Sequence, residues 1–109
     1  CLGLSAGELG TMFSTQAEAG IDLVKDDEIL YDEDFNFTLK RLEACLSAKE
    51  KANSKTIYAI NLTGKAQDIL KRAKELEENG ANCILFNYVS YGLPLLAALS
   101  ETVSIPIMA

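Results

Sequence analysis

The chain alternates between strand-like and helix-like segments over all of its 109 residues, and few folds accommodate that order. Short runs rich in β-branched, aromatic and other apolar residues predict strands at 21–25, 56–62, 83–86 and 104–108. Apolar residues that recur every three or four positions predict amphipathic helices at about 6–19, 35–53 and 66–78, and in a segment that begins near 93. The order α-β-α-β-α-β-α-β requires a parallel sheet with right-handed crossovers.

Local signals mark the ends of the predicted helices. Ser5 followed by Glu8 has the form of a capping box, and Gly20 supplies a C-terminal stop. Asn79 and Gly80 end the third helix, and a proline at position 94 stands near the start of the fourth. In the second helix, the stripe predicted to face the core consists of Phe35, Leu39, Leu42, Leu46 and Lys49.

Two parallel architectures fit this order, an open doubly wound sheet and a (β/α)8 TIM barrel. No Gly-x-Gly-x-x-Gly and no Gly-x-x-x-x-Gly-Lys-Ser/Thr follows any predicted strand, which disfavours the doubly wound fold. The length of 109 residues is about half of the roughly 250 residues of a typical barrel. We therefore predict an α/β fold that is about half of a TIM barrel, with four βα units and parallel strands. The start at Cys1, without Met or a basic n-region, favours a segment of a longer chain over an export signal.

Composition excludes several classes of function. Sixteen acids against ten bases leave a net charge of −6 without any run of Lys and Arg, which argues against nucleic acid as a partner. The chain has no histidine, so it cannot supply a Ser-His-Asp triad, a Cys-His pair or a His-ligated zinc site. Its three cysteines are widely spaced, which favours a reducing cytoplasm over a disulfide framework, and no stretch is long and apolar enough to predict a membrane span. Any chemistry must come from carboxylates, lysines or cofactors.

The segment Lys25-Asp26-Asp27-Glu28 stands at the carboxyl end of the first predicted strand, where parallel α/β folds place their active sites. Because side chains alternate along a strand, Lys25 and Asp27 share the face of the apolar residues at 21 and 23. That face is the barrel interior if those apolar residues belong to the core. Lys25 and Asp27 would then point into the mouth of the barrel.

The chemistry of this segment suits a hard metal ion. Asp27 and Glu28 offer the oxygen ligands that Mg²⁺ prefers, and two carboxylates leave coordination positions open for water and substrate. An ammonium at Lys25 would repel a dication, but partial desolvation favours the neutral amine, which can add CO₂ to become an anionic carbamate. The alternative is that this charged run is an ordinary solvated loop, which is what such runs usually are.

Other polar positions carry weaker signals. Residues 61–64, Asn-Leu-Thr-Gly, could contribute polar groups to the same mouth, but they are more typical of a turn. Tyr88, Ser90 and Tyr91 could equally line a pocket or pack on a loop. Cys45 and Cys83 are typical of buried, inert thiols. The basic residues typical of solvated helix faces are Lys49, Lys51, Lys71, Arg72 and Lys74.

Residues 20–28, Gly-Ile-Asp-Leu-Val-Lys-Asp-Asp-Glu, resemble the Gly-x-Asp-x-x-Lys-Asp-Asp-Glu segment of the RuBisCO superfamily. Residues 2–5, Leu-Gly-Leu-Ser, look like the stretch just after the first barrel strand of that family, so residues 1–109 would run from there through the fifth strand. Three further segments look most like the RuBisCO-like 2,3-diketo-5-methylthiopentyl-1-phosphate enolases of methionine salvage. They are 58–64, 85–87 with 91–92, and 105–109.

The resemblance implies an isomerase that carries out a Mg²⁺-assisted enolisation of a phosphorylated diketone. Lys25, as N6-carboxylysine formed with CO₂, would be a metal ligand together with Asp27 and Glu28, and Asp26 would border the substrate beside these three. The general base and the phosphate-binding glycines of the family lie outside this chain, so the isolated chain is expected to be inactive. Relatives of this kind are homodimers, with the active site shared between subunits.

Three alternatives to the enolase stay open. The first is another RuBisCO-like isomerase or decarboxylase of a sugar phosphate, and the second is a carboxylating RuBisCO. Both share the metal-binding segment, so that segment cannot discriminate between them. The third is a non-catalytic structural fragment, which the missing strands and the absent base favour.

Overall fold

The computed structural model describes residues 4–27, 31 and 34–109. Strands and helices alternate through these residues, as the sequence predicts. The elements are, in chain order, α1 (Ala6–Glu18), β1 (Leu23–Lys25), α2 (Phe35–Lys51), β2 (Ile57–Asn61), a 3₁₀ turn (Ala66–Asp68), α3 (Ile69–Glu78), β3 (Cys83–Leu85), α4 (Tyr88–Tyr91), α5 (Leu93–Thr102) and β4 (Ile107–Met108).

The strands form one four-stranded parallel sheet in the order β1-β2-β3-β4. The prediction of a parallel sheet is confirmed. Each strand lies beside its sequence neighbour, as in a barrel, whereas a doubly wound sheet reverses direction at a switch point. The register places Lys25 beside Ala59, Ala59 beside Cys83, and Leu85 beside Met108. All strands therefore end at one edge of the sheet, which we call the carboxyl edge.

The two faces of the sheet have different neighbours. Buried residues of α1, α2, α3 and α5 join one core cluster with the strand residues Tyr58, Ile60 and Ile84 and with Phe86, which directly follows β3. The opposite face, which we call the inner face, carries a small cluster of strand residues alone, Ala59, Cys83 and Leu85, with Met108 packed against it. The described helices thus cover one face, which is the arrangement of a barrel segment and not of a sheet layered on both sides.

The inner face of β1 is more exposed than the predicted buried strand implies. Leu23 is 40% exposed, and its neighbour Ile57 on β2 is 43% exposed. The reason is that β1 is an edge strand of this sheet and its inner face has no opposing strand among the described residues. The direction of the side chains nevertheless agrees with the prediction, because Leu23 and Lys25 alternate with Val24, which packs towards the helices.

Helix α2 is rotated slightly from its predicted stripe. Its buried residues are Thr38, Arg41, Leu42, Cys45 and Ala48, whereas Leu39 and Leu46 are only partly buried. The predicted apolar residues do belong to the core or pack against it, but the hydropathy pattern left out Arg41, because such a pattern places an arginine at the surface. In the structure, Arg41 is fully buried.

Helix α1 packs closely on α2, and a glycine permits the approach. A Cβ atom at Gly10 would stand 3.1 Å from the Cβ of Ala44 and 3.2 Å from its carbonyl oxygen. The predicted capping box at the start of α1 is confirmed: the Glu8 N–H donates to Ser5 Oγ at 3.2 Å, and the Ser5 N–H donates to Glu8 Oε2 at 3.1 Å. None of the helices in the described part of the chain has both the length and the apolar character to cross a membrane.

Candidate functional site

The predicted metal-binding segment begins at the carboxyl edge, where β1 ends. The backbone remains paired one residue beyond the strand, because the Asp26 N–H donates to the carbonyl oxygen of Ala59 at 3.1 Å. Alternation along this extended backbone places Lys25 and Asp27 towards the inner face, and both are exposed. Lys25 Nζ donates to the Asp26 carbonyl oxygen at 3.3 Å. Glu28, the third predicted ligand, lies outside the described residues.

A cavity of about 280 Å³ lies beside Lys25 at the carboxyl edge. Its lining is mixed: Lys25 and Asn87 are polar, and Tyr88 is the first residue of α4. The lysine therefore borders a concave space and not a flat surface. The apolar lining residues are Leu85, Phe86, Val89, Met108 and Ala109.

Asp26 points the other way. Its carboxylate lies on the helix-facing side of the sheet, where Arg41 Nη2 of α2 stands 3.0 Å from Oδ2. The hydroxyl of Tyr58 donates to Oδ1 at 2.5 Å, and the backbone N–H of Asn61 donates to Oδ2 at 2.9 Å. The side chain is only 10% exposed. The resemblance implies that Asp26 borders the substrate beside Lys25 and Asp27. In the structure its side chain faces the side of the sheet opposite to theirs, because alternate residues of an extended backbone face opposite sides.

Asn61 joins the ends of β1 and β2. Its side-chain amide Nδ2 donates to the backbone carbonyl oxygen of Asp27 at 3.1 Å, and its own side chain is 1% exposed. The turn reading favoured for residues 61–64 therefore does not describe Asn61, which is the last residue of β2. Burial of an amide next to the candidate site was not visible in the sequence, because asparagine at a strand end is an ordinary turn residue.

The two tyrosines after β3 have different roles. Tyr88 lines the cavity, whereas Tyr91 packs on a loop: its hydroxyl donates to the Gly64 carbonyl oxygen at 2.8 Å and accepts from the Gly64 N–H at 3.1 Å. The ring of Tyr91 stacks on Phe86, with 5.1 Å between centroids. The two alternatives predicted for this segment, lining a pocket and packing on a loop, therefore occur at different residues.

The sequence did not predict the structural contacts of two arginines, Arg41 and Arg72. Arg41 contacts Asp26, and its Nε also lies 3.2 Å from the hydroxyl of Tyr58. Arg72, predicted on a solvated helix face, donates from Nη1 to the Thr63 carbonyl oxygen at 2.7 Å and lies 5.1 Å from the ring centroid of Phe35. A weak signal existed for Arg41: together with Thr38 and Cys45 it continues a spacing of three and four on the buried face of α2.

Burial dominates the acid–base chemistry of the residues behind the site. It raises the pKa of Tyr58 far above its ordinary value, and the Asp26 carboxylate adds to the effect, so the phenol stays a hydrogen-bond donor at physiological pH. Burial also raises the pKa of Cys45 to about 11. The pKa of Cys83 is raised by burial on the inner face. Both thiols are buried and unpaired with each other, in agreement with the prediction of inert cysteines.

The donor chemistry at the carboxyl edge is compatible with Mg²⁺. Asp27 presents a carboxylate on the inner face, and a carbamate on Lys25 would present another hard oxygen on the same face. Within residues 4–27, 31 and 34–109, no three His, Cys, Asp or Glu side chains are grouped closely enough to hold a metal ion. The predicted metal site includes only one such residue in that part of the chain, Asp27, because Lys25 would become a ligand only after modification.

Comparison with known proteins identifies the family. A family model described as the ribulose bisphosphate carboxylase large chain, catalytic domain, matches residues 1–105. The chain is 43% identical, over 99% of its length, to 2,3-diketo-5-methylthiopentyl-1-phosphate enolase of Bacillus mycoides, and it spans 28% of that protein.

Solved structures agree with this assignment. A rubisco-like protein from Alicyclobacillus acidocaldarius matches with a TM-score of 0.84 and 39% identity, covering 98% of this chain and 28% of that one. A dimeric archaeal Rubisco from Hyperthermus butylicus matches with a TM-score of 0.84 and 27% identity, covering 97% of this chain and 26% of that one. The four-stranded sheet is thus part of a RuBisCO-like barrel, and the chain belongs to the family of the ribulose bisphosphate carboxylase large chain, catalytic domain.

Proposed function

We propose that this chain carries the metal-binding segment of a 2,3-diketo-5-methylthiopentyl-1-phosphate enolase that acts in methionine salvage as part of a longer protein. The observation that carries the proposal is the placement of Lys25 and Asp27 on one face at the carboxyl edge, where Lys25 borders a cavity of about 280 Å³. The identity of 43% to a relative with that name supports the choice of reaction. In this proposal β1 to β4 are the second to fifth strands of the barrel.

Lys25, Asp27 and Glu28 would hold Mg²⁺ in this enzyme. For Lys25 to take part, Nζ forms a bond to the carbon of CO₂ and releases one proton, which leaves an anionic carbamate, N6-carboxylysine. Mg²⁺ held by these residues would supply a Lewis acid that polarises a substrate carbonyl and would stabilise the negative charge formed when an adjacent proton is removed. The general base and the groups that hold the phosphate are assigned to other parts of the longer protein.

The chain's own residues shape the site in two further ways. Asn61 holds the backbone at Asp27, which restricts the directions available to the Asp27 carboxylate. The apolar side chains of Leu85 and Met108 line the cavity next to Lys25 and give it a partly apolar wall. We propose that the phosphorylated substrate occupies this concave side of the carboxyl edge, against Lys25, Asp27 and Glu28. A homodimer in the cytoplasm is the proposed working form, and the dimeric Rubisco among the similar structures supports the oligomer.

A second candidate is a RuBisCO-like enzyme acting on a sugar phosphate, as an isomerase, a decarboxylase or a carboxylase. The match to the Hyperthermus butylicus Rubisco at 27% identity favours it, because the same barrel segment serves that protein. Lys25, Asp27 and Glu28 would keep the same ligand roles in this case.

The test is an activity assay of the full-length protein in which these residues occur. The protein is incubated with Mg²⁺ with or without CO₂, and then with the diketone phosphate or with ribulose bisphosphate. Enolisation of the diketone phosphate that depends on both Mg²⁺ and CO₂ is the expected result. Turnover of ribulose bisphosphate alone would favour the second candidate, and turnover of neither substrate would contradict the proposed enolase and a ribulose bisphosphate carboxylase.

A further inference from the structure

We infer that Asp26 is a positioning residue: its carboxylate, held by Arg41 and Tyr58 behind the sheet, directs the flanking Lys25 and Asp27 towards the inner face. This inference rests on the proposed function, in which Lys25 and Asp27 are metal ligands. It assigns to Asp26 a role that needs no contact with substrate.

The hydrogen-bond ladder between β1 and β2 ends on the side chain of Asp26. The register pairs Leu23 with Ile57, and the Ile57 N–H donates to the Asp22 carbonyl oxygen at 2.9 Å. Continued in steps of two, this pattern would direct the Asn61 N–H to the backbone carbonyl oxygen of Asp26. It donates instead to Oδ2 of the Asp26 side chain, at 2.9 Å. The carboxylate therefore takes the place of its own backbone carbonyl as the last acceptor of the ladder.

The displaced carbonyl has a consequence for Lys25. Because the Asp26 carbonyl oxygen is not the acceptor for Asn61, it can accept from another donor, and Lys25 Nζ lies 3.3 Å from it. The backbone turn after β1 and the location of the lysine amine are thus linked through the same residue. A change in the side chain of Asp26 would move both.

Both oxygens of the Asp26 carboxylate are bound. Oδ1 accepts from the hydroxyl of Tyr58 at 2.5 Å, and Oδ2 accepts from Arg41 Nε at 3.1 Å, with Arg41 Nη2 at 3.0 Å. Arg41 is fully buried, so its charge is removed from water and is paired with the Asp26 carboxylate. Such charge-assisted bonds are stronger and more directional than neutral ones. They fix the Asp26 side chain on the helix-facing side.

The anchoring of the Asp26 side chain also fixes the direction of its neighbours, because an extended strand has only two faces. With Asp26 anchored towards α2, the residues before and after it must face the opposite way. Rotation of the strand end would carry Lys25 and Asp27 out of the inner face together. Partners of this outer kind orient metal ligands in proteins, and their loss typically reduces metal affinity or activity about 10- to 100-fold.

The experiment measures Mg²⁺ binding in the full-length protein with Asp26→Asn. Asparagine keeps the size of the side chain and one acceptor oxygen, but its NH₂ group cannot accept from Arg41 or from the Asn61 N–H. In CO₂-saturated buffer, we expect the dissociation constant for Mg²⁺ to rise at least about tenfold. The ¹³C signal of the carbamate formed from labelled CO₂ should weaken at the same CO₂ concentration.

Two further variants keep the test decisive if Asp26→Asn does not fold. Tyr58→Phe removes one donor to the carboxylate and retains the ring that contacts Phe13, so it should weaken Mg²⁺ binding by a smaller factor. Arg41→Met removes the charge and should weaken Mg²⁺ binding. Arg41→Lys retains the charge but presents one compact ammonium instead of the planar guanidinium, so it should bind Mg²⁺ more tightly than Arg41→Met and less tightly than the parent.

The matched control is Asp34→Ala. Asp34 caps α2, the helix that carries Arg41, by accepting from the Asn36 N–H at 2.9 Å. Its loss should lower thermal stability without changing the dissociation constant for Mg²⁺. If Asp26→Asn and Tyr58→Phe lower stability in the same way while Mg²⁺ and carbamate measurements match the parent within about twofold, the inference is wrong, since outer partners of metal ligands normally have larger effects. A parent protein without CO₂-dependent Mg²⁺ binding would instead contradict the proposed function itself, and the inference with it.

Discussion

Asn61 donates a hydrogen bond from its buried side-chain amide to the backbone carbonyl oxygen of Asp27, across 3.1 Å between the ends of β2 and β1. The contact holds Asp27 by its main chain, on the face that also carries Lys25. Buried amide donors are rarely left without an acceptor, so the pair is stable only while the two strand ends keep this register. The position of the proposed metal ligand is therefore tied to the sheet and not left to a loop.

Asp27→Asn should remove most of the proposed enolase activity of the full-length protein. The substitution replaces an anionic ligand of a hard cation by a neutral amide of the same size. We expect a loss on the order of 100-fold, at least as large as the loss of an outer partner would cause. The measurement is steady-state turnover over a range of Mg²⁺ concentrations.

Asp22→Asn is the control for that variant. Asp22 is an exposed carboxylate just before β1, at the opposite end of the strand from the carboxyl edge. Both variants change the net charge equally, so a general electrostatic effect would appear in both. Unchanged activity in Asp27→Asn would contradict the metal assignment.

Lys25→Arg should abolish the dependence on CO₂ together with the activity. Arginine keeps the positive charge but is effectively never deprotonated, so it cannot form a carbamate. The measurement combines the ¹³C signal from labelled CO₂ with turnover. Lys40→Arg, at an exposed position on α2, should retain both. Normal turnover in Lys25→Arg would mean that Lys25 acts only as a cation beside the substrate.

Cys45 should react slowly with iodoacetamide in the native protein. Burial raises the pKa of its thiol from 9.0 to about 11, which lowers the thiolate population near neutral pH about 100-fold before any steric protection is counted. Mass spectrometry of labelled peptides should show rapid modification of Cys45 only after urea is added. Labelling in native buffer at the rate of a short cysteine peptide would contradict the burial of this residue.

Glu77 should stabilise the fold in a pH-dependent way. Its Oε2 accepts from the Ser104 N–H at 2.7 Å and from the Ser104 hydroxyl at 3.0 Å, and these bonds lower the pKa of the Glu77 carboxyl from its ordinary value of 4.5. A lowered folded-state pKa means that the unfolded chain binds the proton more readily. The stabilisation is therefore complete above pH 4.5 and is lost as the pH falls through the folded-state pKa.

Urea unfolding of Glu77→Gln at several pH values measures this contribution. The variant should be less stable than the parent at pH 7, and the difference should shrink in acid. Glu78→Gln makes the same charge change at the neighbouring exposed position and leaves the bonds between Glu77 and Ser104 in place, so it is the control. An equal difference between Glu77→Gln and the parent at pH 7 and pH 3 would contradict the prediction.

The sequence was informative wherever a pattern repeats along one element. Strand and helix order, the capping box at Ser5 and the shared face of Lys25 and Asp27 all follow from periodicity or from local spacing. Asp26 and Arg41 could not be placed in this way, because their pairing joins residues fifteen positions apart across two layers. A charge in a helix looks solvated until its buried partner is known. The same limit hid Asn61, whose acceptor belongs to the preceding strand.

The uncovered inner face decides how this chain behaves when it is produced alone. Leu23 and Ile57 lie side by side there, 40% and 43% exposed, at the strand ends away from the metal-binding segment. In a closed barrel, side chains from other strands fill that space in layers. The isolated chain should therefore associate with itself in sedimentation experiments, since apolar patches and unpaired strand edges promote association. The helices and strands of the isolated chain would form without the rest of the barrel, but its solubility would depend on the remaining strands. Co-expression with those strands should yield a uniform species that is smaller than the self-associated chain.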